Sequence, residues 1–95
     1  MCGGSEVAMS KEVSFKNRDR FIQLGITIAT LRRLRGYSQE QLADKAGISR
    51  TLLSLIEAPG LAKGFSLEVF LDLADALAVD PSELLKASVI PEKLL

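Results

Sequence analysis

From about residue 17 to residue 87 the apolar side chains return every three or four positions, and nowhere do they settle into a sustained alternation. A spacing of ~3.6 residues belongs to a helix with one buried face, whereas a half-buried strand repeats every ~2. The chain is therefore read as all-α, with no sheet.

Breakers and caps divide that pattern into five helices. Leu24, Ile28 and Leu31, with Phe21, line one side of a first helix over about 17–35, which Gly36 ends. Ser38, with Gln41 three residues on, has the spacing of a capping box. A short second helix follows over 39–46, with Leu42, Ala43 and Ala46 inward. Gly47 can take the left-handed conformation that stops a helix, Ile48 is an apolar plug, and Ser49 caps a third helix that keeps Leu53 and Ile56 inside. The stretch APGLAKGF reads as an irregular loop closed by Ser66, the cap of a fourth helix with Leu67, Phe70, Leu73, Ala74 and Leu77 on its buried side. Asp80-Pro81-Ser82-Glu83 is a strong start signal for a fifth, over about 81–87. Residues 1–16 are small and polar and read as a disordered tail, residues 17–88 as the domain, and 89–95 as an apolar C-terminal tail.

Ninety-five residues, 47% of them hydrophobic, are enough for one domain with a modest core. No apolar run approaches the ~20 residues that span a bilayer, and the N-terminus lacks the apolar centre of a secretory signal. Cys2 has no intrachain partner, which fits a reducing cytoplasm. The chain has no histidine, no glycine-rich phosphate loop after a strand and no carboxylate pair set among apolar residues. Neither an enzyme nor a metal site is expected, and no cofactor is implied. Net charge is zero, which argues against a nucleic-acid partner until its distribution is considered. Lys11, Lys16, Arg18, Arg20, Arg32, Arg33 and Arg35 dominate the N-terminal part, while Glu68, Asp72, Asp75, Asp80, Glu83 and Glu92 dominate the C-terminal part. One end of such a dipole can face phosphates while the other keeps the protein soluble, although similar asymmetries occur in domains with no such partner.

The informative element is the pair of short helices around Gly47. Two helices joined by a glycine turn, the second capped by a hydroxyl, are one way to hold that second helix out so that its first residues can enter a major groove, although short helix pairs also occur in many helical proteins with no such partner. The run LGITIATLRRLRGYSQEQLADKAGISRTLLSLIEAPG resembles the lambda-repressor-like family, which includes Cro and cI-type regulators and the xenobiotic-response-element group. Leu24-Gly25, Ile28, Leu31-Arg32, Gly36, Ser38-Gln39, Leu42-Ala43, Gly47-Ile48-Ser49 and Ile56-Glu57 fall in register with its pattern, and ADALAVDPSELL resembles its last two helices. The resemblance implies a compact five-helix domain and a sequence-specific transcriptional regulator of double-stranded DNA, acting as a repressor in a bacterial or phage-encoded, nucleoid-associated, cytoplasmic setting.

The resemblance also assigns roles. Gln39 matches a glutamine that bonds a backbone phosphate and braces the reading helix; the competing reading is an exposed amide at a helix N-terminus, and the phosphate role is favoured because helix N-termini attract anions and Ser38 leaves N–H groups beside it. Ser49, Arg50, Thr51, Ser54 and Leu55 lie opposite Leu53 and Ile56 and are the candidate base readers. Arg50 can fork onto guanine O6 and N7, or meet phosphate or water. Thr51 offers a methyl and a hydroxyl, and Ser49 combines capping with a phosphate contact. Leu55 departs from the family pattern, where a polar or aromatic residue is commoner. It can meet thymine methyls, pack on a neighbouring element or, with Leu52, form a protein-binding face. Ala58-Pro59-Gly60 replaces a polar loop, and Lys63 is the substitute phosphate contact. Arg32 and Glu57 match a salt bridge between the first helix and the end of the third. Arg33 and Arg35 are more generic and are read as solvated, with a phosphate contact as the lesser alternative.

Regulators of this kind pair about a two-fold axis, so a homodimer on a near-palindromic operator is expected. Val89, Ile90, Leu94 and Leu95 either join the outer side of the fifth helix in that interface or fold back on their own domain. The competing reading is a protein-interaction module on the same scaffold, antitoxin-like or adaptor, anchored by Leu52 and Leu55.

Overall fold

The computed structural model describes residues 13–87, and within them every regular element is helical. A 3-10 turn, Phe15–Asn17, leads into α1 (Arg18–Leu34); α2 (Gln39–Ala46), α3 (Arg50–Glu57), α4 (Leu67–Leu77) and α5 (Pro81–Ala87) follow. Residues 13–16, placed in the tail on composition, thus include the turn that starts α1, closed by the Asn17 N–H on the Ser14 carbonyl at 3.0 Å. The remaining tail residues and the C-terminal run 88–95 lie outside the described residues.

One core joins all five helices. Leu24 and Ile28 of α1 meet Leu42, Ala43 and Ala46 of α2, Leu53 and Ile56 of α3, Phe70, Leu73, Ala74 and Leu77 of α4, and Leu84 of α5. Leu31 and Leu52 pack at its margin. Leu67 departs from the expected inward position: 69% of it faces solvent. Periodicity sets the direction of a side chain but not whether another element stands opposite, and Leu67 occupies the first position of α4, a turn before Phe70 reaches the core.

Helices α1, α2 and α4 end in one motif. Just past the end of each, one N–H reaches back across the last turn (Tyr37 to Arg32, Ile48 to Ala43, Val79 to Ala74, each at 3.0 Å), and the N–H before it closes a shorter loop. That motif requires a left-handed residue. Gly36 and Gly47 fill the first two such positions, whereas the third is Ala78 at φ 60°. A Cβ in that conformation costs ~1–2 kcal/mol, against which glycine adds ~0.4–1 kcal/mol of chain entropy to the unfolded state. Ala78→Gly is therefore expected to stabilise the domain by about 0.5–1 kcal/mol, read as a higher urea midpoint at unchanged slope; a lower midpoint would show that the Cβ makes a contact worth more than the strain.

Start signals act as their chemistry requires. Ser38, Ser49 and Ser66 each accept the N–H three residues on, at 3.1, 3.0 and 3.2 Å. Asp80 accepts the Ser82 N–H at 2.9 Å and the Ser82 hydroxyl at 2.8 Å. These bonds, the backbone one foremost, hold its carboxyl below the usual carboxylate range. Between α3 and α4, the Leu61 N–H closes on the Ala58 carbonyl at 3.2 Å, with Pro59 and Gly60 (φ 77°) at the two central positions of the turn. Proline supplies the first angle and glycine the second, the chemistry of a type II turn. Phe65 then returns to set its ring edge-on to Phe21, centroids 5.6 Å apart, fastening the connection to α1.

Candidate nucleic-acid interface

The turn Gly47-Ile48-Ser49 sets α3 against α2 with only part of its surface covered. At about 100° per residue, an eight-residue helix that buries Leu53, Ile56 and Glu57 and tucks in Leu52 must turn Arg50, Thr51, Ser54 and Leu55 outward; all four are exposed, as is Ser49 at the cap. The apolar anchor and the polar outer face are thus one fact seen from two sides.

Close contact between α1 and α3 determines where that face points. A Cβ on Gly25 would run into the Ile56 carbonyl oxygen, so the two backbones touch there. Two turns further along α1, the Arg32 guanidinium grips the Glu57 carboxylate in a fork, Nε to Oε2 at 2.8 Å and Nη2 to Oε1 at 3.0 Å. Its third nitrogen, Nη1, donates to the Tyr37 carbonyl at 2.8 Å, and Gln39 Nε2 donates to Glu57 Oε1 at 3.0 Å. A single carboxylate at the end of α3 is therefore tied to α1 and to the first residue of α2, with both charged side chains nearly out of solvent.

Beside this network an open cleft is lined by Arg32, Ser38, Gln39, Glu40 and Arg50. The first intrahelical bond of α2 is made by the Leu42 N–H to the Ser38 carbonyl, and the capping box pairs the Gln41 N–H with the Ser38 hydroxyl. The N–H groups of Gln39 and Glu40 precede that ladder and form the positive end of the helix dipole. The exposed Arg50 adds a full charge on the far wall. Glu40 places a negative charge on the near rim, so an anion entering the cleft is drawn to the α2 backbone and Arg50 and away from the Glu40 carboxylate.

The structure brings Ser38, Gln39 and Arg50 to this one cleft and sets Thr51, Ser54 and Leu55 along the adjoining face of α3. Arg32 and Glu57 meet beneath it. Lys63 sits half-buried in the α3–α4 connection and is not among the cleft's lining residues. Arg35, read as solvated, donates from Nε to the Leu77 carbonyl at 2.8 Å, closing an otherwise open carbonyl at the end of α4. Gly25 had no role assigned from the sequence. Its signal was present all the same, because a glycine inside a regular helix costs ~1 kcal/mol relative to alanine and calls for a packing reason. For Gln39 the resemblance implied a bracing role on the reading helix but named no partner, and spacing alone does not pair it with Glu57, 18 positions away.

Among the described residues no helix is long and apolar enough to cross a membrane, and no group of three or more histidine, cysteine or acidic side chains could hold a metal ion.

Two short helices about a left-handed glycine, the second pinned at its end and open along its outer side, within a five-helix all-α bundle, define a lambda-repressor-like helix-turn-helix domain. The chain belongs to the helix-turn-helix domain family, whose profile matches residues 23–87. Among solved structures it is similar to the restriction-modification controller protein C.AhdI from Aeromonas hydrophila, at 36% identity and a TM-score of 0.62 over 67% of this chain and 94% of that one. It is similar too to the clp gene regulator ClgR from C. glutamicum, at 26% identity and a TM-score of 0.64 over 74% and 87% of the respective chains. A hypothetical transcription factor, NHTF from Neisseria, aligns at 28% identity and a TM-score of 0.63 over 88% of each chain. Comparison with curated proteins gave no match.

Proposed function

We propose that this protein is a sequence-specific transcription regulator that binds double-stranded DNA as a homodimer, reads the major groove with α3 and acts as a repressor by occupying its operator. The observation that carries the reading is the outer side of α3. Arg50, Thr51, Ser54 and Leu55 stand exposed on a helix whose inner side and far end are held by the core and by a buried ion pair. Such a rigid, outward polar surface suits base recognition, which needs donors and acceptors held in a fixed register. Arg50 supplies the fork for guanine. Ser38, Gln39 and Ser49 with the α2 N-terminus, and Lys63 from the loop, supply phosphate contacts that set the docking angle. Two of the similar proteins are named as a controller and a gene regulator, and a third as a transcription factor, which supports the same reading.

A single eight-residue helix spans only a few base pairs, and a two-fold pair doubles the contact on half-sites ~34 Å apart. The competing protein-interaction reading relied on Leu52 and Leu55 together as an anchor. Leu52 packs against the core, which leaves Leu55 as the sole exposed leucine of α3.

Selection of the full chain against random duplex DNA, with sequencing and a salt series, tests the proposal. A near-palindrome should emerge, with affinity falling steeply as salt rises. Arg50→Ala should relax the preference at one guanine per half-site by about 1–3 kcal/mol while leaving the fold intact. If no sequence is enriched even at low salt, the DNA-reading role is wrong and a search for a protein ligand of α3 takes its place.

A further inference from the structure

The exposed side of α3 is divided lengthwise. Residues four apart stack along a helix face, so Arg50 and Ser54 form one row and Thr51 and Leu55 the next. The first row is polar. The second offers a methyl group and then a branched apolar side chain, 38% exposed at Leu55, with its inner flank against the helix and its outer flank open. A leucine has no donor for a phosphate and no partner for a base amide or carbonyl. Pressed against a duplex, it gains only by expelling water from another apolar group, and in the major groove the base edges offer one such group, the C5 methyl of thymine.

The surroundings favour a duplex over a protein as the occupant. Leu55 is flanked by Ser54, with Arg50 and the free N–H groups at the start of α2 on the same side of the molecule. Those groups seek anions, and Leu55, with only the partly buried Leu52 a turn before it on α3, presents a narrow apolar strip and not the broad patch that protein partners use. Arg50 and Leu55 are five residues apart, about 7.5 Å along the axis at ~1.5 Å per residue, or roughly two steps of ~3.4 Å on the DNA.

We propose that Leu55 is a specificity-determining residue that reads a thymine methyl, in a half-site where this thymine lies within about three base pairs of the guanine held by Arg50. The inference rests on the DNA-reading role of α3 proposed above.

The test is a pair of selections on the full chain, one from a random duplex pool synthesised with thymidine and one from a pool with deoxyuridine in its place. The enriched duplexes are then titrated by fluorescence anisotropy with wild type, Leu55→Ala and Arg50→Ala. With thymidine, one thymine per half-site should be enriched close to the guanine; with deoxyuridine, that preference should collapse while the guanine persists. Replacing that thymine should weaken wild type about three- to fivefold per half-site, the effect of losing one buried methyl. Leu55→Ala should bind the two duplexes equally, whereas Arg50→Ala should still tell them apart. Circular dichroism confirms that the variants fold, and Leu55→Gln, which keeps the length of the side chain, serves as a second probe and should likewise lose the methyl preference. A motif identical in the two pools, or an unchanged thymidine-to-deoxyuridine ratio in both Leu55 variants, overturns the inference and leaves DNA reading by α3 standing. Absence of a motif from both pools instead removes the DNA-reading role itself.

Discussion

Glu57→Ala is expected to destabilise the protein by about 3–5 kcal/mol, because it leaves the Arg32 guanidinium charged, nearly buried and short of its partner. The side chains of Arg32 and Glu57 are only 10% and 4% exposed, so solvent cannot replace the lost carboxylate. Had the pair been exposed, the same change would cost under ~1 kcal/mol. The substitution also removes the acceptor of Gln39, so α2 and α3 lose a direct tie as α1 and α3 lose theirs. Urea unfolding followed by circular dichroism measures the loss. The double variant Arg32→Leu with Glu57→Leu should recover most of it, because the cost lies in an unpaired buried charge and not in the absence of a bridge. A loss below ~1 kcal/mol in the single variant would show that water reaches the guanidinium and that the network does not fix α3.

Gly25→Ala is the second large effect, and its sign is diagnostic. Helix propensity alone predicts a gain of ~1 kcal/mol from replacing an interior glycine. The new Cβ, however, would meet a backbone oxygen, that of Ile56, which cannot swing aside as a side chain can. Either α1 and α3 separate, thinning the packing of Leu24, Ile28, Leu53 and Ile56, or α1 bends. The expected net loss is about 3 kcal/mol, toward the upper end of the range for overpacked cores. In a domain of this size that lowers the thermal midpoint by roughly 12–24 °C. Because the displaced contact lies directly beside Glu57, DNA affinity should fall even below the melting range. A midpoint equal to or above that of wild type would show that the helices do not touch at Gly25.

The boundaries of the helices were legible in the sequence because each is set by neighbours in the chain. Ser38 with Gln41, Gly47, Ser49, Ser66 and Asp80-Pro81 act through bonds spanning a few residues, and these exist wherever the chain folds locally in that way. The outward side of α3 was legible for a related reason, since Leu53 and Ile56 fix the inward direction and the other rows follow from the helical period. Resemblance to a known family further paired Arg32 with Glu57, two residues that spacing alone does not connect.

Other features depended on distance in space. Leu67 shares the period of the buried row, yet it faces solvent because no core neighbour covers the first position of α4. Arg35 has the chemistry of any surface arginine until the end of α4 is brought alongside it.

The amino-acid sequence by itself thus determined the all-α class, the order and limits of the helices, the glycine turn between α2 and α3 and the identity of the side chains offered outward, all consequences of short-range bonding and a single period. Tertiary structure alone decided that α1 and α3 touch at Gly25, that one carboxylate holds three helices together, and that Gln39 and Arg50 share a cleft. Those depend on the distances between helices, which are set by how side chains from remote parts of the chain interlock and leave no trace in local spacing.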